Sequence, residues 1–114
     1  MHRISVDRAG SATIVAAEGE LDAFVAPDLT ATFAEVVGDA RLVTDLFKVS
    51  FLDSTALGLV VHAVREVGER GGNVRIVLPR GSARRIFEIT TLDRVLPVCA
   101  TRADALAELE SAAA

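Results

Sequence analysis

A chain of 114 residues with 51% apolar content and a formal net charge of -4 fits one domain, which buries about two-thirds of the surface its unfolded form exposes. The acidic balance, the absence of Tyr and Trp, and a lone basic cluster at Arg80, Arg84 and Arg85 argue against nucleic-acid binding, which needs a basic footprint and stacking platforms. No run approaches the roughly 20 apolar residues that span a bilayer, the opening Met1-His2-Arg3-Ile4 lacks the core of a secretory signal, and a single cysteine excludes an internal disulfide, so the expectation is a cytoplasmic protein without a membrane segment.

Residues 3–7 and 13–17 are short, β-branched-rich runs on either side of Arg8-Ala9-Gly10-Ser11 and predict an opening hairpin. After Gly19-Glu20-Leu21-Asp22, Pro27 suits a first helical position, where a missing N–H costs nothing, and Leu29, Phe33, Val36 and Val37 follow at helical spacing. Residues 41–46 read as a strand inside the sheet, closed by the polar Lys48-Val49-Ser50. The clearest pattern is a helix over 54–70, with Leu57, Val60, Val61, Val64 and Val67 on one stripe and His62, Arg65, Glu66, Glu69 and Arg70 on another. Gly71-Gly72 stops it, a strand follows over 74–78, and Pro79 and Gly81 break that run before Ser82 caps a short helix over 83–90. A last strand is expected around 95–98, and Thr101 with Asp104 has the spacing of a capping box for a helix carrying Leu106 and Leu109. Residues 111–114 are expected to fray, leaving a single domain over 1–110. Two strands followed by alternating helix and strand predict an α/β fold: a mixed sheet of four to five strands, antiparallel at the start and parallel afterwards, with about four helices.

The residue types that catalysis needs are not assembled in any recognisable spacing. His2 sits at a terminus and His62 on a polar helix stripe, neither with a metal-ligand companion. Gly68-Glu69-Arg70-Gly71-Gly72 ends a helix and lacks the Gly-Lys-Ser/Thr of a phosphate loop. Asp22, Asp45 and Asp53 follow strand or pre-helix positions, as the acidic residues of a phosphate-accepting receiver domain do. Such a domain also needs an acidic pair after its first strand and a late lysine, whereas the only lysine here is Lys48. Cys99 reads as a buried small hydrophobe. The expectation is a protein that is not an enzyme and holds no cofactor or metal.

What remains is Phe51-Leu52-Asp53-Ser54-Thr55-Ala56-Leu57-Gly58, two adjacent hydroxyls and an aspartate at the start of the clearest helix. The first N–H groups of a helix have no intrahelical acceptor, so Asp53 or Ser54 can cap them, and a phosphate on Thr55 would gain from the same donors and the helix dipole. Spacing alone favours capping without modification.

Asp45-Leu46, Val49, the run from Phe51 to Thr55 and Leu57-Gly58 together resemble the signature of STAS-domain anti-sigma factor antagonists, and Gly19-Glu20-Leu21-Asp22 with Ala26-Pro27 resembles the family's second landmark. With Ile86-Phe87 and Leu92, the resemblance runs in order over almost the whole chain. It implies a STAS fold, and a partner that is an anti-sigma factor with serine/threonine kinase activity, bound by the unmodified form so that a sigma factor is freed. It further implies that phosphorylation of the second hydroxyl, Thr55 here, with Ser54 as second choice, releases that partner. Asp53 and Ser54 then flank the acceptor, and Asp22, Ala56 and Leu59 join the expected partner-binding residues, although a turn-capping role fits Asp22 equally well. A monomer or weak homodimer acting in stress response or sporulation is the implied setting.

Two positions depart from that pattern. Ala56 stands where glycine usually follows the acceptor, which places a methyl beside the hydroxyl and firms the first turn, and Thr91 stands where glycine often precedes Leu92. Ala56 keeps a second reading open: a STAS scaffold that is never phosphorylated, serving a lipid-transport or stress-signalling complex.

Overall fold

The computed structural model describes residues 2–113. A five-stranded sheet in the order β1-β2-β3-β4-β5 carries β1 (His2–Ala9), β2 (Ala12–Leu21), β3 (Arg41–Leu52), β4 (Asn73–Val77) and β5 (Val98–Cys99). The helices are α1 (Ala26–Val36), α2 (Ser54–Glu69), α3 (Ser82–Ile89), the single turn α4 (Leu92–Val95) and α5 (Arg102–Ala113). β1 and β2 are antiparallel and every later pairing is parallel, which is the expected mixed α/β sheet with β3 at its centre. The hairpin turns on Gly10-Ser11, and Gly10 at φ 61° supplies the left-handed backbone that such a tight connection requires.

Alternation along the strands sorts the core onto two faces. Val15, Ala17, Leu42, Leu46, Val74 and Ile76 point to a cluster that includes Leu29 and Phe33 of α1, Val60, Val64 and Val67 of α2, and Phe87 of α3. Ile14, Val43, Val77 and Cys99 point the other way, against Ala105 and Leu109 of α5. One half of the expected capping box of α5 is formed: Thr101 Oγ1 accepts from the Asp104 N–H at 3.1 Å. α2 ends in a Schellman arrangement, in which Gly71 at φ 85° donates to the Gly68 carbonyl and Gly72 to that of Val67. A Cβ on Gly72 would stand 2.8 Å from Val67 Cγ1, so glycine is required there by space as well.

Four boundaries differ from the sequence reading. β3 runs on to Leu52, well past residue 46, because β2 keeps pairing with it through Glu18↔Lys48 to Leu21↔Leu52 after β4 has stopped at Asp45↔Val77. The last strand is Val98–Cys99, and Val95 belongs to α4 and is exposed. Pro97 is the reason: the residue before a proline is held extended, as Leu96 is at φ -113° and ψ 146°, which ends α4, and Pro97 joins the sheet through its carbonyl alone, which accepts from the Ile76 N–H at 2.8 Å. α3 starts at Ser82 with Gly81 in the cap position; the expected cap by the Ser82 hydroxyl lies outside the described side chains. α5 continues through residues 111–113, and Ala114 is outside the described residues.

Candidate functional site

Asp53 caps α2. Its backbone is extended at φ -86° and ψ 175°, and its carboxylate accepts from the Ala56 N–H at 2.9 Å. The Asp53 N–H in turn donates to the Leu21 carbonyl at 3.0 Å, which ties the start of α2 to the end of β2. The two sequence landmarks, separated by some thirty residues, therefore meet at the C-terminal ends of neighbouring parallel strands, where loops of α/β sheets form binding surfaces.

Ser54 and Thr55 occupy the first two helical positions and both are exposed. Thr55 shares a face with Gly58, Leu59 and His62, three, four and seven residues on. Gly58 is exposed with nothing within 4 Å of the position a Cβ would take, so the surface beside the Thr55 hydroxyl is flat. Leu59 is half-buried and lines a groove of about 150 Å³ between α1 and α2 with Phe33, Val37 and His62. Ala56 needs correction: its side chain is fully buried in the core, so its methyl stands neither beside the hydroxyl nor on a partner-facing surface, and only its N–H serves the site.

Asp22 forms an Asx turn, its carboxylate accepting from the Phe24 N–H at 3.0 Å while its carbonyl accepts from Val25. That turn holds Phe24 out in solvent at 91% exposure. Phe51, at the far end of β3 opposite Glu20, is half exposed. Neither phenylalanine is among the expected partner-binding residues. Their signal in the sequence is an aromatic residue outside any helical stripe or strand alternation, two residues after Asp22 in one case and two before Asp53 in the other.

The aspartates do not form the acidic set of a receiver domain. Asp22 and Asp53 are committed to local turns, and Asp45 lies on the α5 side of the sheet, buried, accepting from the Phe47 N–H at 2.9 Å and from Arg102 Nε at 2.7 Å. Among the described residues no three His, Cys, Asp or Glu side chains come together to hold a metal. Cys99 is buried as expected, with its thiol donating to Glu108 at 3.2 Å. No described helix is long and apolar enough to cross a membrane.

The fold and the site together are those of an α/β domain with an exposed hydroxyl pair at a capped helix start. The STAS domain family model matches residues 3–105. The anti-sigma-B factor antagonist of Bacillus subtilis is 33% identical over 85 residues, covering 72% of this chain and 76% of that one. The crystal structure of an anti-sigma factor antagonist from Mycobacterium paratuberculosis superposes with a TM-score of 0.88 at 29% identity, covering 96% of this chain and 95% of that one. A relative from Thermotoga neapolitana, 32% identical over 73 residues, is matched over 64% of this chain and 65% of its own length. The chain belongs to the STAS domain family, and to the anti-sigma factor antagonists within it. These are regulatory proteins, not enzymes.

Proposed function

We propose that this domain binds an anti-sigma factor while Thr55 is unmodified, and that phosphorylation of Thr55 by that partner, acting as a serine/threonine kinase, releases it. The observation that carries this reading is the placement of Thr55: an exposed hydroxyl on a helix start that the Asp53 to Leu21 hydrogen bond fixes beside the Asp22 turn. Phosphate would add about 1.5 to 2 negative charges next to the Asp53 carboxylate. The added group would desolvate poorly and repel acidic partner surface, while the first-turn N–H groups and the helix dipole leave α2 intact. The switch acts through the interface without refolding the domain. Asp22, Asp53, Ser54 and Leu59 contribute to the contact surface in this reading, which places the protein in the cytoplasm.

Intact-mass analysis after incubation with candidate anti-sigma kinases and Mg-ATP tests it. The expected result is one added phosphate that is absent in Thr55→Ala and retained in Ser54→Ala. A kinase that binds the protein yet adds no phosphate would favour the second reading, a constitutive scaffold. The observation on that side is the buried Ala56 methyl, which stiffens the turn that must present Thr55 to a kinase.

A further inference from the structure

β1 is an edge strand of eight residues, so every second N–H and C=O along it points away from β2. Its side chains alternate: Ser5 and Asp7 line the open groove on the α5 side of the sheet, and Ile4 packs against the core on the α1 and α2 side. Val6, on the same side as Ile4, is left 41% exposed. Arg3 and Asp7 are both exposed and, among the described residues, neither takes part in an ion pair.

A second copy can add antiparallel to this edge about a two-fold axis normal to the sheet, which keeps each face continuous and allows only residues of equal parity to stand opposite one another. Of the registers that satisfy this, the one with Ser5 on the axis sets Arg3 opposite Asp7 twice, and Ile4 opposite Val6 twice. Shifting one copy by two residues, the smallest step that keeps equal parity, sets Arg3 against Ser5 or Ala9 and leaves both charges unmatched. The strand is therefore self-complementary in one register, with Arg3–Asp7 pairs on one face and Ile4–Val6 pairs on the other, where His2 and Arg8 stand opposite each other at the ends of the pairing. We infer that β1 pairs with β1 of a second copy in that register, joining the two sheets into one. Eight residues of edge bury less than the 1,200 Å² or so of standard stable interfaces, so the association is weak and concentration-dependent.

Sedimentation equilibrium up to millimolar protein tests this independently of any partner. The wild type should show a reversible dimer, and Asp7→Arg, which faces Arg3 with a like charge in both pairs, should weaken it by about tenfold or more. The double variant Arg3→Asp/Asp7→Arg, which exchanges the charges while preserving the pairing, should restore it to near wild-type strength. Circular dichroism confirms that each variant is folded. A wild type that stays monomeric overturns the inference, as does a dimer that Asp7→Arg leaves intact or that the double variant fails to restore, since either places the contact elsewhere.

Discussion

The Asp53 N–H donates to the Leu21 carbonyl at 3.0 Å while the Asp53 carboxylate accepts from Ala56 at 2.9 Å, so one residue closes β2 and opens α2. Asp53→Ala keeps the backbone bond and removes the cap, and is expected to cost about 1 kcal/mol of stability. Asp53→Asn retains an acceptor and should lie within a few tenths of wild type. Urea denaturation of the pair separates the cap from the charge, and equal losses in both would refute the capping role.

Gly58 lies in the interior of α2 with open space where a Cβ would go. Gly58→Ala should raise stability by about 0.5 to 1 kcal/mol. If the face shared with Thr55 is the docking face, the same methyl should weaken anti-sigma factor binding, so thermal denaturation and calorimetric titration should move in opposite directions.

Thr91 is the one non-glycine residue with positive φ among those described, at 59°, directly before α4. A β-branched residue in the left-handed region is strained by roughly 1 to 2 kcal/mol. Thr91→Gly should therefore stabilise the domain by about 1 kcal/mol after the greater backbone entropy of an unfolded glycine is subtracted. An unchanged or lower denaturation midpoint would show that the Thr91 hydroxyl, which donates to the Thr90 carbonyl at 2.7 Å, offsets the strain.

Thr44 is fully buried on β3 and, among the described residues, its Oγ1 has no hydrogen-bond partner. An unpartnered buried hydroxyl is costly, and valine has nearly the same shape. Thr44→Val should raise stability by about 1 kcal/mol, read from the urea midpoint at an unchanged slope.

The Cys99 thiol is pushed up from 9.0 to about 11, first by burial and then by its hydrogen bond to Glu108. Because the folded value is raised, its contribution is complete below pH 9, the range in which an unfolded thiol is still protonated, and is lost as pH rises toward 11. Stability should fall by about 1 kcal/mol per pH unit across that window and the slope should flatten in Cys99→Ala. Glu108 is held below 4.5 by hydrogen bonds from Cys99 and from Arg75, so its contribution is present above that value and is lost as pH falls through the folded one. Urea midpoints measured from pH 3 to 11 in both proteins check both limbs.

Residues whose local preference and burial agree were read correctly from sequence. The hairpin about Gly10, α2 with its Gly71-Gly72 stop, and the Thr101 cap needed no tertiary information. The far half of β3 was missed because Phe47, Lys48, Ser50 and Phe51 are exposed: pairing only with β2 holds that stretch extended, and no buried face imposes an alternation. Ala56 was misplaced although its position was readable, since it stands four residues before Val60 on the stripe that continues to Val64 and Val67. Phe24 was missed because the Asx turn that exposes it is a matter of backbone hydrogen bonding, which composition does not display.

α5 runs back along the sheet until its last turns lie against the Gly10-Ser11 hairpin turn and Arg41, with Leu106, Leu109 and Glu110 lining a shared hollow. Arg41 begins β3 and Asp53 follows its end, so the whole 12-residue length of that strand lies between the tail of α5 and the acceptor hydroxyl, and α5 occupies the opposite face of the sheet. A reporter, affinity handle or additional domain appended after α5 would thus emerge remote from Thr55, which makes this end the natural attachment point for modular fusions that must leave the recognition surface unobstructed.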